Sequence, residues 1–141
     1  MAERRRKKNT KDTHTKGKRR ISLKENKRAV GKLYEEKAAA YLKDQGLRII
    51  QRNYRVRTGE IDLIAQDGEY LVFVEVKYRS TGKSGCALCA VDAAKQRSIS
   101  RTAVHYLTTA GKEGDIPCRF DVVGFDGEQV QWVKNAFDYC R

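Results

Sequence analysis

No stretch of this chain approaches the ~18 uninterrupted apolar residues that a membrane-spanning helix requires. No short apolar run follows the basic start, so the pattern of a secretory signal is missing. The expectation is a cytoplasmic protein with no membrane partner. Cysteine is scarce, with four in 141 residues. Cys86 and Cys89 are spaced C-x-x-C, but a structural zinc site wants a second such pair or a Cys/His pair. Cys118 and Cys140 stand alone, and His14 and His105 are far apart. So few cysteines in a chain without a signal also argue against a disulfide framework. The four are expected to be small packing residues with free thiols. A Ser-His-Asp arrangement, a Walker-type phosphate loop and internal repeats are also lacking.

What is present is charge. A length of 141 residues suits one domain, and 40% apolar residues supply its core. The net charge of +12 is unevenly placed. Residues 1–28 hold 13 Lys/Arg against Glu3, Asp12 and Glu25, a net of +10, which leaves +2 for the remaining 113 residues. The first 23 residues are almost without apolar side chains and include Arg4-Arg5-Arg6-Lys7-Lys8 and Lys16-Gly17-Lys18-Arg19-Arg20. Such a segment cannot bury enough surface to offset its ordering entropy. Residues 1–28 are therefore expected to be a disordered basic arm, and 29–141 the folded domain. The natural partner of the arm is a polyanion, bound through counterion release. A solvated tail with no specific role is the alternative.

From 29 to 45 the apolar pattern is helical, with Asn26 as the expected N-cap and Gly46 just past the end. Val30, Leu33, Tyr34, Ala38, Tyr41, Leu42 and Gln45 mark the buried face. Glu35 borders that face, and Glu36 points to solvent. Strands are expected at 47–57, 60–65 and 70–78, with a turn at Thr58-Gly59 and a hairpin at Asp67-Gly68. The strand 70–78 is apolar on both faces until its end, which suggests a central, covered strand. After a Gly/Ser loop at 80–85, a second helix is expected at 90–109, burying Val91, Ala94, Ile99, Ala103, Tyr106 and Leu107. Strands at 119–125 and 129–135 complete a mixed α/β domain with one sheet of about five strands and helices packed on it.

Chemistry concentrates near the end of the central strand. Glu75 and Lys77 share a strand face because side chains alternate. With Asp67-Gly68 as a two-residue loop, Asp62 faces Phe73, and Asp62 and Glu75 become diagonal neighbours on one face, ~7 Å apart. A one-residue slip would send them to opposite faces. Paired carboxylates repel, and a divalent cation relieves the repulsion. Oxygen ligands suit Mg²⁺ or Mn²⁺. Lys77 alongside can orient or help deprotonate an attacking water, which is the chemistry of phosphodiester hydrolysis. Taken singly, Glu75 and Lys77 could be a surface ion pair, and Asp62 a polar residue on an outer face.

The order of these residues resembles the PD-(D/E)xK nuclease superfamily. Within it, the chain is similar to the YraN-like family of predicted endonucleases, related to archaeal Holliday junction resolvases. The matching stretches are Gly31-x-x-x-Glu35-x-x-Ala38, Arg52-Asn53, Gly59-Glu60-Ile61-Asp62-Leu63-Ile64, Phe73-Val74-Glu75-Val76-Lys77-x-Arg79, Lys95, Arg119-Phe120-Asp121 and Asn135-Ala136-Phe137. Ile61 stands where the superfamily usually has proline, and residues 1–28 lie outside the pattern. The resemblance implies a restriction-endonuclease-like fold, with Asp62 and Glu75 as metal ligands and Lys77 as the catalytic lysine. It implies a supporting role for Glu35 toward the metal or a water, and places Lys95 and Gln96 near the scissile phosphate or the nucleic-acid backbone. Arg79 and Arg119 are candidate phosphate contacts, or parts of a solvated basic face.

Two functions remain open on these grounds. One is a Mg²⁺- or Mn²⁺-dependent endonuclease acting on DNA, with branched or recombination and repair intermediates as candidate substrates. It would act as a homodimer if it follows the resolvases. The other is a catalytically silent nucleic-acid-binding or scaffolding module on the same fold.

Overall fold

The computed structural model describes residues 22–79, 91–112 and 114–141. The basic segment 1–21, the loop at 80–85 and the Cys86/Cys89 pair lie outside the described residues. Helix α1 spans Leu23–Asp44. It begins earlier than the expected Asn26, because Ser22 and Glu25 form a capping box. The Glu25 N–H donates to Ser22 Oγ at 3.2 Å, and the Ser22 N–H donates to Glu25 Oε2 at 3.0 Å. Residues 22–28, expected in the arm, are thus the cap and first turns of this helix. Gly46 ends it as expected, in a left-handed conformation with φ 97°.

Five strands follow the expected order: β1 Arg48–Val56, β2 Gly59–Asp67, β3 Tyr70–Arg79, then helix α2 Ala93–Thr109, then β4 Cys118–Asp126 and β5 Gln129–Phe137. They form one sheet in the order β1-β2-β3-β4-β5. The β3–β4 pairing is parallel and the others are antiparallel, so α2 is the crossover that a parallel pair demands. The fold is a mixed five-stranded sheet flanked by two helices, of the restriction-endonuclease-like kind.

The two helices cover opposite faces. Ala38, Ala39 and Leu42 of α1 pack on Leu63, Ala65, Val72, Val74, Val76 and Val123. Ile99, Ala103 and Tyr106 of α2 pack on Ile61, Ile64, Leu71, Phe73 and Val122. Alternate residues of β3 therefore enter two separate cores, which is why its sequence is apolar on both faces. Three positions expected on the buried faces are open: Leu33 is 48% exposed, Gln45 is exposed just past α1, and Ala94 lies on the solvent side of α2. Ala39 on α1 and Ser100 and Thr102 on α2 are fully buried in addition to the expected residues.

Two clips fix the ends of the sheet. At the β1–β2 turn, Ser98 Oγ donates to the Thr58 carbonyl at 2.9 Å, and Thr102 Oγ1 lies 3.2 Å from Thr58 Oγ1. Gly59 (φ 150°) lies under this contact, and a Cβ there would come within 2.2 Å of Ser98 Oγ. At the other end the buried Asp121 accepts from Arg119, from Trp132 Nε1 at 3.0 Å and from the Asn135 N–H at 2.9 Å. Asn135 has φ 52°, and the β4–β5 register shifts between Phe120 and Val122. The carboxylate thus satisfies a backbone donor that the bulge leaves outside the ladder.

Candidate active site

The geometry of the site begins with the β2–β3 register. The ladder pairs Asp67 with Tyr70 and runs back to Leu63 opposite Val74. Gly68 and Glu69 form the connection, with Gly68 at φ 58°. The expected loop, Asp67-Gly68, is off by one position. Gly68 takes the left-handed position at the start of the loop, while Asp67 stays in the strand, its carboxylate held by Arg119 at 2.6 Å. The partners shift by two residues, so the faces are retained and one step past the ladder Asp62 comes opposite Glu75 instead of Phe73.

At that step the strands part. The Val76 N–H donates to Asp62 Oδ2 at 2.8 Å rather than to a backbone carbonyl of β2. Asp62 is 8% exposed and Glu75 4%. Burial raises the Asp62 carboxyl to about 7, and the Glu75 charge pushes the same way, while the Val76 N–H and the Lys95 charge oppose. Glu75 Oε1 takes two cations, Lys77 Nζ at 3.3 Å and Lys95 Nζ at 3.4 Å. Glu75 Oε2 is buried and has no hydrogen-bond partner among the described residues. An orphaned carboxylate oxygen in a buried site calls for a cation or a proton.

The remaining expected residues are distributed as follows. Lys95 reaches Glu75 from the first turn of α2, where Asp92 caps the helix by accepting from the Lys95 N–H at 2.8 Å. Gln96 turns its side chain back, donating to the Val91 carbonyl at 3.1 Å. Arg79 ends β3 two residues beyond Lys77 and, by strand parity, on the same face. Glu35 approaches Asp62 from the α1 side. Burial raises its carboxyl above the ordinary range, the charges of Asp62 and Glu60 add to this, and the Asn53 hydrogen bond and Arg55 oppose it. Tyr34, its neighbour, stacks on Tyr78 with ring centroids 4.5 Å apart and anchors this part of α1 to the end of β3.

Among the described residues no three His, Cys, Asp or Glu side chains gather as a metal cage. Glu35 lies beside the acid pair, close enough to feel the Asp62 charge. Arg119 does not reach the site: its side chain is 12% exposed and its guanidinium is taken by Asp121 at 3.0 Å and Asp67 at 2.6 Å. With both carboxylates in place it has little left to offer a phosphate. Cys118 is an exposed free thiol and Cys140 a partly buried one. Asn53, which the sequence marks only as part of the Arg52-Asn53 stretch and without a role, bonds to Glu35. Its φ of 50° marks a left-handed position in mid-strand, where the β1–β2 register sets it opposite Asp62. Asparagine tolerates that conformation.

The model of "Uncharacterised protein family UPF0102" matches residues 34–125, a span holding Glu35, Asp62, Glu75, Lys77 and Lys95. The chain belongs to the UPF0102 family. UPF0102 is the YraN family, a PD-(D/E)xK-like group related to nucleases. A UPF0102 protein of Nitrosomonas europaea is 50% identical over 107 residues, 74% of this chain and 89% of that relative. A UPF0102 protein of Lachnoclostridium phytofermentans is 48% identical over 113 residues, 80% of this chain and 96% of the relative. One from Dechloromonas aromatica is 50% identical over 109 residues, covering 77% and 88%. Among the described residues no helix is long and apolar enough to cross a membrane.

Proposed function

We propose that this UPF0102 protein is a divalent-metal-dependent endonuclease that hydrolyses phosphodiester bonds in DNA. The observation that carries the reading is the pairing of Asp62 and Glu75, two buried carboxyls held together with one oxygen unpartnered among the described residues. This donor set fits Mg²⁺ or Mn²⁺, hard ions that take one or two carboxylates and fill the rest of their shell with water and phosphate oxygen. Asp62 and Glu75 would hold the ion. When bound, it would supply charge neutralisation at the phosphate and lower the pKa of a water.

The chain's own groups do the rest. Val76 fixes the Asp62 carboxylate by its N–H, so that group is oriented before any ligand arrives. Lys77 lies beside Glu75 with its ammonium partly exposed, placed to orient a water or to offset negative charge on a phosphate. Lys95 and Arg79 extend that positive edge. Glu35, with its raised carboxyl, is placed to take or return a proton at the α1 side of the same opening.

The test is a pair of measurements on the purified full chain. Calorimetric titration with Mn²⁺ should show binding that Asp62→Asn and Glu75→Gln each remove. DNA of several forms, linear and branched, should be cut with Mg²⁺ or Mn²⁺, and Lys77→Ala should lower the rate at least about 100-fold while leaving the fold intact. Absence of Mn²⁺ uptake would overturn the reading in favour of a silent binding module. Cleavage by Lys77→Ala at the wild-type rate would place the activity elsewhere.

A further inference from the structure

Beside the acid pair, on the α1 side, lies a polar cleft of about 480 Å³ lined by Arg28, Gly31, Lys32, Glu35, Asn53 and Arg55. Its wall on α1 is a single stripe. Arg28 and Lys32 are one helical turn apart, and Gly31 and Glu35 are separated by the same interval. Glu35 is the half-buried carboxyl of this lining and senses the charge of Asp62, while Asn53 is exposed. The cleft therefore carries solvent-exposed cations and adjoins the acid pair through Glu35.

The charges there are unequally committed. Arg55 is held by Glu60 at 3.2 Å. Arg28 and Lys32 are exposed and form no ion pair among the described residues. Gly31 lies between them, and a side chain built there would meet nothing within 4 Å. Glycine in a helix interior costs stability relative to alanine, and here it leaves the cleft open where any other residue would enter it.

We propose that this cleft is a subsite for the DNA backbone, with Arg28 and Lys32 taking phosphate oxygens and Gly31 giving the strand room to lie against α1. The proposal rests on the nuclease reading and extends it. The strand would enter along α1, pass the acid pair and leave along Lys77, Lys95 and Arg79 on the α2 side of the sheet. Phosphates on both sides of the scissile bond would then be held, which is the positioning a two-carboxylate site lacks on its own. Glu35 lies where the cleft adjoins the acid pair and faces the path.

The test measures binding, apart from cleavage, on the full-length protein in EDTA with a fluorescein-labelled DNA duplex. Fluorescence anisotropy is followed across a salt series. Arg28→Ala/Lys32→Ala should weaken binding about tenfold and reduce the slope of log K against log salt by roughly 2, one for each lost phosphate contact. Gly31→Leu changes no charge and suits a helix, yet should also weaken binding about tenfold by filling the cleft. Lys43→Ala/Arg48→Ala removes the same charge from the other end of α1 and β1, and should cost less than about threefold. Equal losses for the two double variants, or wild-type binding by Gly31→Leu, would overturn the subsite, as would no duplex binding by the wild type. Mn²⁺ titration of the same proteins separates the two ideas. Uptake retained with unaltered DNA binding sinks the cleft alone, and uptake missing in the wild type sinks the nuclease reading.

Discussion

The backbone N–H of Val76 donates to the side chain of Asp62, 2.8 Å away, at the point where β2 and β3 stop pairing. One hydrogen bond thereby does two jobs. It satisfies a donor that the separating strands would leave bare, and it fixes the carboxylate opposite Glu75. The cost falls on Asp62, whose burial next to Glu75 disfavours its charge.

That cost sets a pH dependence. The Asp62 carboxyl lies at about 7 in the folded protein, against 3.8 for the ordinary group. Between these values the unfolded chain has given up the proton and the folded chain has kept it. Stability of the metal-free protein from this group is therefore greatest at and below pH ~4 and falls as pH rises to ~7. Asp62→Asn retains the acceptor for Val76 and loses the charge. It should stabilise the metal-free protein at pH 8 by about 1–4 kcal/mol and have little effect at pH 4. Thermal melts of both proteins across that range check this. Equal slopes would show that Asp62 is ionised throughout. Mn²⁺ at pH 8 should raise the wild-type melting temperature and leave the variant unmoved.

Lys95 and Lys77 share Glu75 Oε1 at 3.4 and 3.3 Å and would oppose a cation at the same carboxylate. Removing the Lys95 charge should therefore tighten Mn²⁺ binding roughly 3- to 10-fold, while weakening duplex binding and lowering the salt slope by about 1. Calorimetry and anisotropy on Lys95→Ala read the two effects separately. Looser metal binding would mean that Lys95 chiefly holds Glu75 in place.

Gly59 sits three residues before Asp62, pressed under Ser98. Gly59→Ala should destabilise by about 1–3 kcal/mol, through both the clash and the positive φ. Adding Ser98→Ala should restore part of the loss, since it removes the Oγ but leaves the backbone strain. Chemical denaturation of the four proteins in the cycle gives the coupling, and strict additivity would show that the contact relaxes freely.

Asp121 holds Arg119, Trp132 and the Asn135 N–H from a fully buried position. Asp121→Ala should cost about 3–5 kcal/mol, because a cation and two donors lose their partner at once. The chain has a single tryptophan, so Trp132 fluorescence reports the change directly. A shifted emission in a still folded protein would show local opening of the β4–β5 bulge. An unaltered spectrum with unaltered stability would remove Asp121 from this account.

The sequence by itself determined the order of elements, the central place of β3 and the shared face of Asp62 and Glu75. Each follows from local rules: period-two alternation, Asp-Gly punctuation, and a strand too apolar to have a wet side. The capping box at Ser22 and Glu25 is equally legible, since its spacing is a local pattern, whereas Asn26 lies inside the helix and donates its N–H to the Ser22 carbonyl. The shared face survived a misplaced turn because the shift was by two residues, and faces repeat with that period. Tertiary structure decided the rest. It completed the structural ion pair of Arg119, because Asp67 comes from another strand to join Asp121, its neighbour two residues along β4. It brought Lys95 onto Glu75 across a crossover, left Glu35 at the border of the acid pair, and opened the cleft beside Arg28 and Lys32. A side chain's spacing along the chain sets its face, but its partner is set by what the other layers bring within reach, and that distance is fixed only when the sheet and both helices have packed.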